Sequence, residues 1–168
     1  VASLGYAKGH GTTKTPKEAI LLVAFGTSVP EAQKALDQID AQVKKAFPDV
    51  QVTWAYTSKI IRKKLAKEGK NLDPPTVALA KLMEDGYTRI LVASLHSLPG
   101  VEFHDLGRDV EAFKSLAGPS GGKVFLSRPL LSSRENMEAV AKAVIKEVPK
   151  NRKPEDAVLQ LLELLILA

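Results

Sequence analysis

The chain has 168 residues, a length that suits one compact domain. With 45 % hydrophobic and 26 % charged residues, its composition excludes an intrinsically disordered chain, and its apolar runs are too short to insert into a membrane as a helix. The absence of cysteine excludes disulfides, thiolate zinc sites and cysteine nucleophiles. The net charge of +5 is consistent with an anionic partner or with a merely soluble surface, and no motif predicts nucleic-acid binding.

Three segments of the chain differ in composition. Residues 1–17 are rich in Gly, Lys and Thr and have no apolar period, which predicts a flexible leader or the segment that remains after a signal peptide was removed. Residues 18–156 alternate between strand-like and helix-like patterns and form the predicted lobe. Residues 157–168 read A-V-L-Q-L-L-E-L-L-I-L-A, an apolar segment that we expect to be buried in this domain or against a partner.

Strands and helices alternate along the lobe. The first strand is a continuously apolar run, A-I-L-L-V-A-F at 19–25, which is typical of a strand buried on both faces. Further strands are predicted at 50–56, 89–95 and 123–127. Helices are predicted from a capping box of Ser28 and Glu31 to Phe47, from Ser58 through a short basic stretch, over 76–85, over about 102–116, and after a second capping box of Ser132 and Glu135.

This alternation predicts an α/β fold, an open parallel sheet with helices on both faces. In such sheets, ligands bind at the carboxyl ends of the strands. The candidate site is therefore the set of loops that follow the four strands, at 26–30, 57–59, 96–101 and 128–133.

Two histidines and a glutamate lie in or just after the third of these loops. His96 directly follows the third strand, and Glu102 and His104 come within eight residues of it, across a Pro-Gly turn. Two imidazoles and a carboxylate are suitable ligands for a first-row divalent metal. Their spacing matches no compact metal motif, so the alternative is a loop histidine bonded to backbone, followed by two residues that merely begin a helix.

A cluster of basic residues marks the short helix after the second strand. Its members are Lys59, Arg62, Lys63, Lys64 and Lys67. Such a cluster is either a solvated helix face or a site for an anionic ligand, and an arginine near the sheet edge suits carboxylates through paired hydrogen bonds. The turn at 26–28 could hold a phosphate at a helix start or simply cap that helix, since it lacks the dinucleotide and P-loop patterns.

Four ordered segments resemble one family. They are L-L-V-A-F-G-T-S at 21–28, A-Y-T-S-K-I-I-R-K-K-L at 55–65, S-L-H-S-L-P-G-V-E-F at 94–103 and P-L-L-S-S at 129–133. Together they are similar to the N-terminal lobe of the sirohydrochlorin cobaltochelatases, class II chelatases of anaerobic cobalamin synthesis, over about residues 18–156. The resemblance implies a lobe that faces a second, similar lobe across a cleft, where cobalt(II) enters a tetrapyrrole with eight carboxylates without ATP.

The resemblance also implies roles for particular residues. His96 and Glu102 would be catalytic, and Ser28, Arg62 and Ser94 would bind the tetrapyrrole, sirohydrochlorin. The metal substrate would be cobalt(II), with iron(II) as the alternative, and the residue pattern adds His96 and His104 as candidate metal ligands. The metal-binding residues of the family begin with a G-H-G motif in the second lobe. At the corresponding place this chain reads Q-L-L-E-L-L-I-L-A, so those residues have no counterpart here.

Two alternatives to a cobaltochelatase stay open. One is a non-enzymatic haem- or tetrapyrrole-binding assembly module, in which His104 from each of two subunits ligates the haem iron, and which predicts a homo-oligomer. The other is an inactive, truncated half of the chelatase. The leader is longer than in cytoplasmic relatives, which favours a periplasmic location over a cytoplasmic one.

Overall fold

The computed structural model describes residues 16–117 and 122–147 of the chain, in which strands and helices alternate. The strands are β1 (Glu18–Ala24), β2 (Gln51–Tyr56), β3 (Arg89–Ser94) and β4 (Lys123–Leu126). The helices are α1 (Pro30–Ala46), α2 (Lys59–Lys67), α3 (Pro75–Glu84), α4 (Val101–Ala117) and α5 (Arg134–Glu147). Their order and positions confirm the predicted elements. Among the described residues, no helix combines the length and the apolar character needed to cross a membrane.

Two predicted segments lie wholly or mostly outside the described residues. The predicted leader, 1–17, overlaps them only at Pro16 and Lys17, and the apolar segment 157–168 does not overlap them. The flexibility of the leader and the burial of the apolar segment therefore stay predictions.

The four strands form one parallel sheet in the order β2-β1-β3-β4. Strand β1 is hydrogen-bonded on both sides, so that Leu22 lies opposite Trp54 of β2 and Ala93 of β3. This central position explains the continuous apolar run of β1, since a strand with neighbours on both edges and helices on both faces has no wet side. The predicted open parallel sheet is confirmed.

Helices cover both faces of the sheet, as predicted. On one face, Leu21 and Val23 of β1 pack with residues from α3 and α4, including Leu79 and Leu106. On the other face, Ile20 and Leu22 pack with Val52 of β2 and with a residue of α1, Val43. Each such buried aliphatic side chain contributes about 1.5–3 kcal/mol relative to an exposed one. The core therefore lies in two layers on either side of β1.

The α1 face of the sheet is less completely covered than the sequence predicts. Leu91 of β3 is 40 % exposed, and the neighbouring Phe125 of β4 is 47 % exposed. Within residues 16–117 and 122–147, α1 packs mainly against β2 and not against β3. A groove of about 160 Å³, which Ile20 and Phe47 also line, runs along this part of the sheet.

Three helix starts were expected to have serine caps, and the structure confirms one of them. Ser58 Oγ accepts a hydrogen bond from the N–H of Ile61 at the start of α2. Ser28 does not cap α1, because Pro30 sets the first helical turn and Val29 occupies the capping position. At α5, the residue that accepts from an amide of the first turn is Ser133 rather than the predicted Ser132.

Gly26 lies two residues after the end of β1 and packs against the ring of Tyr56. Its φ of +96° lies in a region that L side chains rarely adopt, and an added Cβ would lie 2.3 Å from Tyr56 Cδ2. Tyr56 is 2 % exposed, and its hydroxyl donates to Gln33 Oε1 at 3.1 Å. The ring therefore cannot move aside without breaking this packing, and the first loop of the site has a fixed path.

We predict that Gly26→Ala lowers the free energy of unfolding by about 2–4 kcal/mol, because it combines backbone strain with a clash against a buried ring. Gly69→Ala is the matched control, since Gly69 has φ +77° but open space around its Cα, so that strain of about 1 kcal/mol is expected alone. Urea unfolding of both variants measures the difference. Equal losses would show that the Tyr56 contact adds nothing.

Candidate active site

Three of the four candidate loops are joined at the carboxyl end of β1 by backbone hydrogen bonds. The N–H of Thr57 donates to Ala24 O at 2.9 Å, and the N–H of Ser58 donates to Phe25 O at 3.1 Å. From the other side, the N–H of Leu95 donates to Val23 O at 2.8 Å. The ends of β2 and β3 therefore have a fixed position relative to the end of β1.

The fourth loop is tied to the third. The N–H of Leu130 donates to His96 O at 3.0 Å, and the N–H of Leu131 donates to Ser97 O at 2.8 Å. All four loops therefore lie along one edge of the sheet, as predicted from the parallel order of the strands.

His96 lies half-buried between two hydroxyl groups at this edge. Its Nδ1 is 2.9 Å from Ser94 Oγ, and its Nε2 is 3.5 Å from Thr57 Oγ1. Burial lowers the pKa of His96 below the ordinary value for an imidazole, and the negative charge of Glu102 opposes that shift. Burial therefore favours the neutral form of the ring, which has a hydroxyl group beside each of its two nitrogens.

Glu102 and His104 lie in the first turn of α4, and both are exposed. Glu102 is close enough to His96 to affect its pKa, whereas His104 has the ring of Phe103 beside it, with 6.0 Å between the ring centroids. Within the described part of the chain, no group of three His, Cys, Asp or Glu residues is placed to hold a metal ion. The structure thus brings Glu102 towards His96 but does not assemble the predicted trio, and metal binding by His96 or His104 stays a prediction.

Ser94 and Arg62 each have a protein partner, and their contacts with the substrate stay a prediction. The hydroxyl of Ser94 faces His96, and its side chain is buried, with 8 % of the residue exposed. Arg62 uses Nη1 to donate to the carbonyl oxygens of Tyr56 and Thr57, the latter at 2.9 Å. This guanidinium holds the carboxyl end of β2, so only its other nitrogens are left for a ligand.

Ser28 lies apart from this arrangement, in a groove of about 160 Å³ between the β1–α1 loop and the end of α2. Gln33 and Lys70 line the same groove. The structure therefore places Ser28 beside the basic helix.

The lysines of α2 form a positively charged, exposed surface next to the site. They are Lys59, Lys63, Lys64 and Lys67. In residues 16–117 and 122–147, none of them forms an ion pair with a carboxylate. This surface is therefore suited to an anionic ligand.

Two residues of the site were not singled out from the sequence, although Thr57 lies in the predicted loop 57–59. Thr57 contacts His96 Nε2, and Ser127 Oγ accepts a hydrogen bond of 2.8 Å from the N–H of Ser94. Each is a hydroxyl residue that directly follows a strand, β2 or β4. That position was the available signal, since a polar side chain at the end of a buried strand lies at the ligand-binding edge.

Comparison with known proteins places this chain in a family. A model of the cobalt chelatase (CbiK) family matches residues 18–161. The chain belongs to this family. It is 40 % identical over 142 residues to the sirohydrochlorin cobaltochelatase CbiKC of Nitratidesulfovibrio vulgaris, covering 84 % of this chain and 50 % of that protein.

A second curated member of the cobalt chelatase family is similar over the same part. The sirohydrochlorin cobaltochelatase of Salmonella typhimurium is 32 % identical over 144 residues, covering 84 % of this chain and 53 % of the relative. The chain thus spans about half the length of the curated relatives it matches.

A solved structure shares the fold of this chain. It is a putative cobalamin biosynthesis protein, CbiX, from Marinobacter aquaeolei, with a TM-score of 0.52 and 14 % identity. The similarity covers 77 % of this chain and 96 % of the CbiX chain. At this identity the match supports the fold alone.

The depressed pKa of His96 predicts a pH-dependent contribution to stability. As the pH falls below about 6.5, the ordinary imidazole value, the unfolded chain binds a proton at His96 before the folded chain does. The contribution is therefore present above that pH and is lost as the pH falls through the folded pKa. We expect His96→Gln to reduce the loss of unfolding free energy between about pH 7.5 and about pH 5.5. Urea unfolding at both pH values checks this, with His104→Gln as the exposed control, and an unchanged pH slope in His96→Gln would contradict it.

The contacts of Arg62 predict a structural cost when it is removed. Arg62→Ala leaves the carbonyl oxygens of Tyr56 and Thr57 without their donor, so we expect a loss of about 1–2 kcal/mol in unfolding free energy. Lys63→Ala, at the next position of the same helix, should stay within about 0.5 kcal/mol of the wild type. Equal stability of the two variants in thermal or urea unfolding would show that the Arg62 contacts are not used.

Proposed function

We propose that the chain functions in the insertion of cobalt(II) into sirohydrochlorin, with iron(II) as an alternative metal substrate. The observation that carries the proposal is its 40 % identity to a sirohydrochlorin cobaltochelatase over 142 residues. The match of the family model to residues 18–161 includes His96 and Glu102. Because the chain spans half of that relative, we assign it one lobe of such a site.

The chemistry of insertion defines what this lobe must do. A divalent ion replaces two N–H protons of the macrocycle, so that one metal ion enters, two protons leave and no electron is transferred. The protein must hold the macrocycle and provide groups that accept protons. Glu102 is the candidate proton acceptor of this lobe, and His96, which interacts with it electrostatically at the binding edge of the sheet, is the candidate group for positioning the ligand.

The basic surface of α2 supports a ligand that carries many carboxylates. Its four exposed lysines have no carboxylate partner among the described residues, and their helix begins at the same edge as the His96 loop. Attraction between exposed charges is screened by salt. Tetrapyrrole binding by this lobe should therefore weaken as ionic strength rises.

The haem-binding alternative has less support. Neither the family model nor the relatives named above supports haem as a ligand. Haem ligation by His104, a homo-oligomeric state and a periplasmic location stay predictions.

An insertion assay with cobalt(II) and sirohydrochlorin tests the proposed function. The purified chain should accelerate the absorbance change that accompanies metal insertion, relative to the same mixture without protein. Glu102→Gln removes a proton acceptor and should slow the reaction by about 10²-fold. Glu111→Gln is the matched control, because Glu111 lies on the same helix but pairs with Lys114.

Tetrapyrrole binding is measured separately by fluorescence at two salt concentrations. Binding without any acceleration would contradict catalysis by this chain, and the absence of both would contradict the proposed function entirely.

A further inference from the structure

We infer that Ser94 fixes His96 in the tautomer that carries its proton on Nε2, so that the site presents an N–H donor, and not a lone pair, to its ligand. The inference concerns the side chains themselves, and it holds whether or not the chain inserts cobalt.

The hydrogen bonds of Ser94 carry the argument. Its Oγ accepts from the backbone N–H of His96 at 3.3 Å and lies 2.9 Å from His96 Nδ1. Ser94 is 8 % exposed, so its hydroxyl proton must find an acceptor within the protein. Among the described residues, Nδ1 is the acceptor within hydrogen-bond distance. The hydroxyl therefore donates to Nδ1, which must be unprotonated.

The opposite tautomer would leave a buried proton unsatisfied. If Nδ1 carried the proton, Oγ would accept both from Nδ1 and from the backbone N–H, and the serine proton would have no acceptor among the described residues. Leaving a buried donor unpaired shifts such an equilibrium by about tenfold or more. The Nε2–H form should therefore predominate whenever His96 is neutral.

The other side of the ring is consistent with this assignment. Nε2 faces Thr57 Oγ1, whose oxygen can accept from Nε2–H. This contact is 3.5 Å long, compared with 2.9 Å to Ser94, so the serine contact decides the tautomer. Arg62 also donates to the backbone carbonyl of Thr57, which holds the backbone at this position.

The tautomer determines which ligand group His96 can bind. An N–H pairs with an acceptor such as a carboxylate, whereas a metal ion needs a free lone pair on the nitrogen. His96 is thus suited to orient an anionic group, and Glu102 is left as the proton acceptor of this lobe. This division of roles rests on the proposed function, whereas the tautomer does not.

Nitrogen NMR of the full chain, labelled with ¹⁵N-histidine, tests the tautomer directly. The chain has three histidines, so the long-range ¹H–¹⁵N spectrum is small, and His96→Gln identifies the His96 signals by their loss. At about pH 8, where the ring is neutral, we expect Nε2 to be the protonated nitrogen and Nδ1 the unprotonated one. A protonated Nδ1 in the wild type would overturn the inference.

Two hydroxyl deletions separate the roles of the neighbours. Ser94→Ala should move both nitrogen shifts towards those of a free histidine, in which the two tautomers exchange, whereas Thr57→Val should leave the wild-type pattern. Wild-type shifts in Ser94→Ala would show that the serine does not fix the tautomer. If Ser94→Ala fails to fold, the wild-type spectrum still shows which nitrogen of His96 carries the proton. A chain with the expected tautomer but no insertion activity would overturn the proposed function alone.

Discussion

Strand β1 is hydrogen-bonded to β2 on one side and to β3 on the other, and its side chains are covered on both faces. The site depends on this arrangement, because the carbonyl groups at the end of β1 accept the amides that begin the second and third loops. A shift of β1 along its axis would displace Thr57 and His96 together. The fixed positions of Thr57, Ser94 and His96 therefore depend on the central strand, even though no side chain of β1 belongs to this group.

The elements of the fold could be predicted from the sequence because each depends on local pattern. Continuous apolar runs located the strands, and helical spacing with Pro and Gly boundaries located the helices. The errors were at positions where two local signals competed or where coverage depended on distant packing. Pro30 overrode the capping box at Ser28, since a proline fixes the first helical turn. The exposure of Leu91 depends on where α1 lies across the sheet, which no local pattern specifies.

The location of the site could be predicted from the sequence, but the contacts between its residues could not. His96 lies two residues from Ser94, and their hydrogen bond could have been anticipated from that spacing. Thr57 is 39 positions away from His96, and only the order β2-β1-β3 brings the two together. Arg62 was expected to face a ligand from its residue type, yet its Nη1 binds the backbone of its own loop. Residue type indicates what a side chain is able to bind, whereas the folded chain determines which partner is nearest.

The packing of Gly26 on Tyr56 restricts the order in which these two positions can change during evolution. A side chain at position 26 is excluded both by the aromatic ring and by the backbone conformation. A smaller residue at position 56 only removes buried contacts. Position 56 must therefore lose its ring before position 26 can accept a Cβ, and the reverse order passes through a clashing intermediate. In a lineage of such lobes, glycine should persist at the first position after replacements at the second have begun.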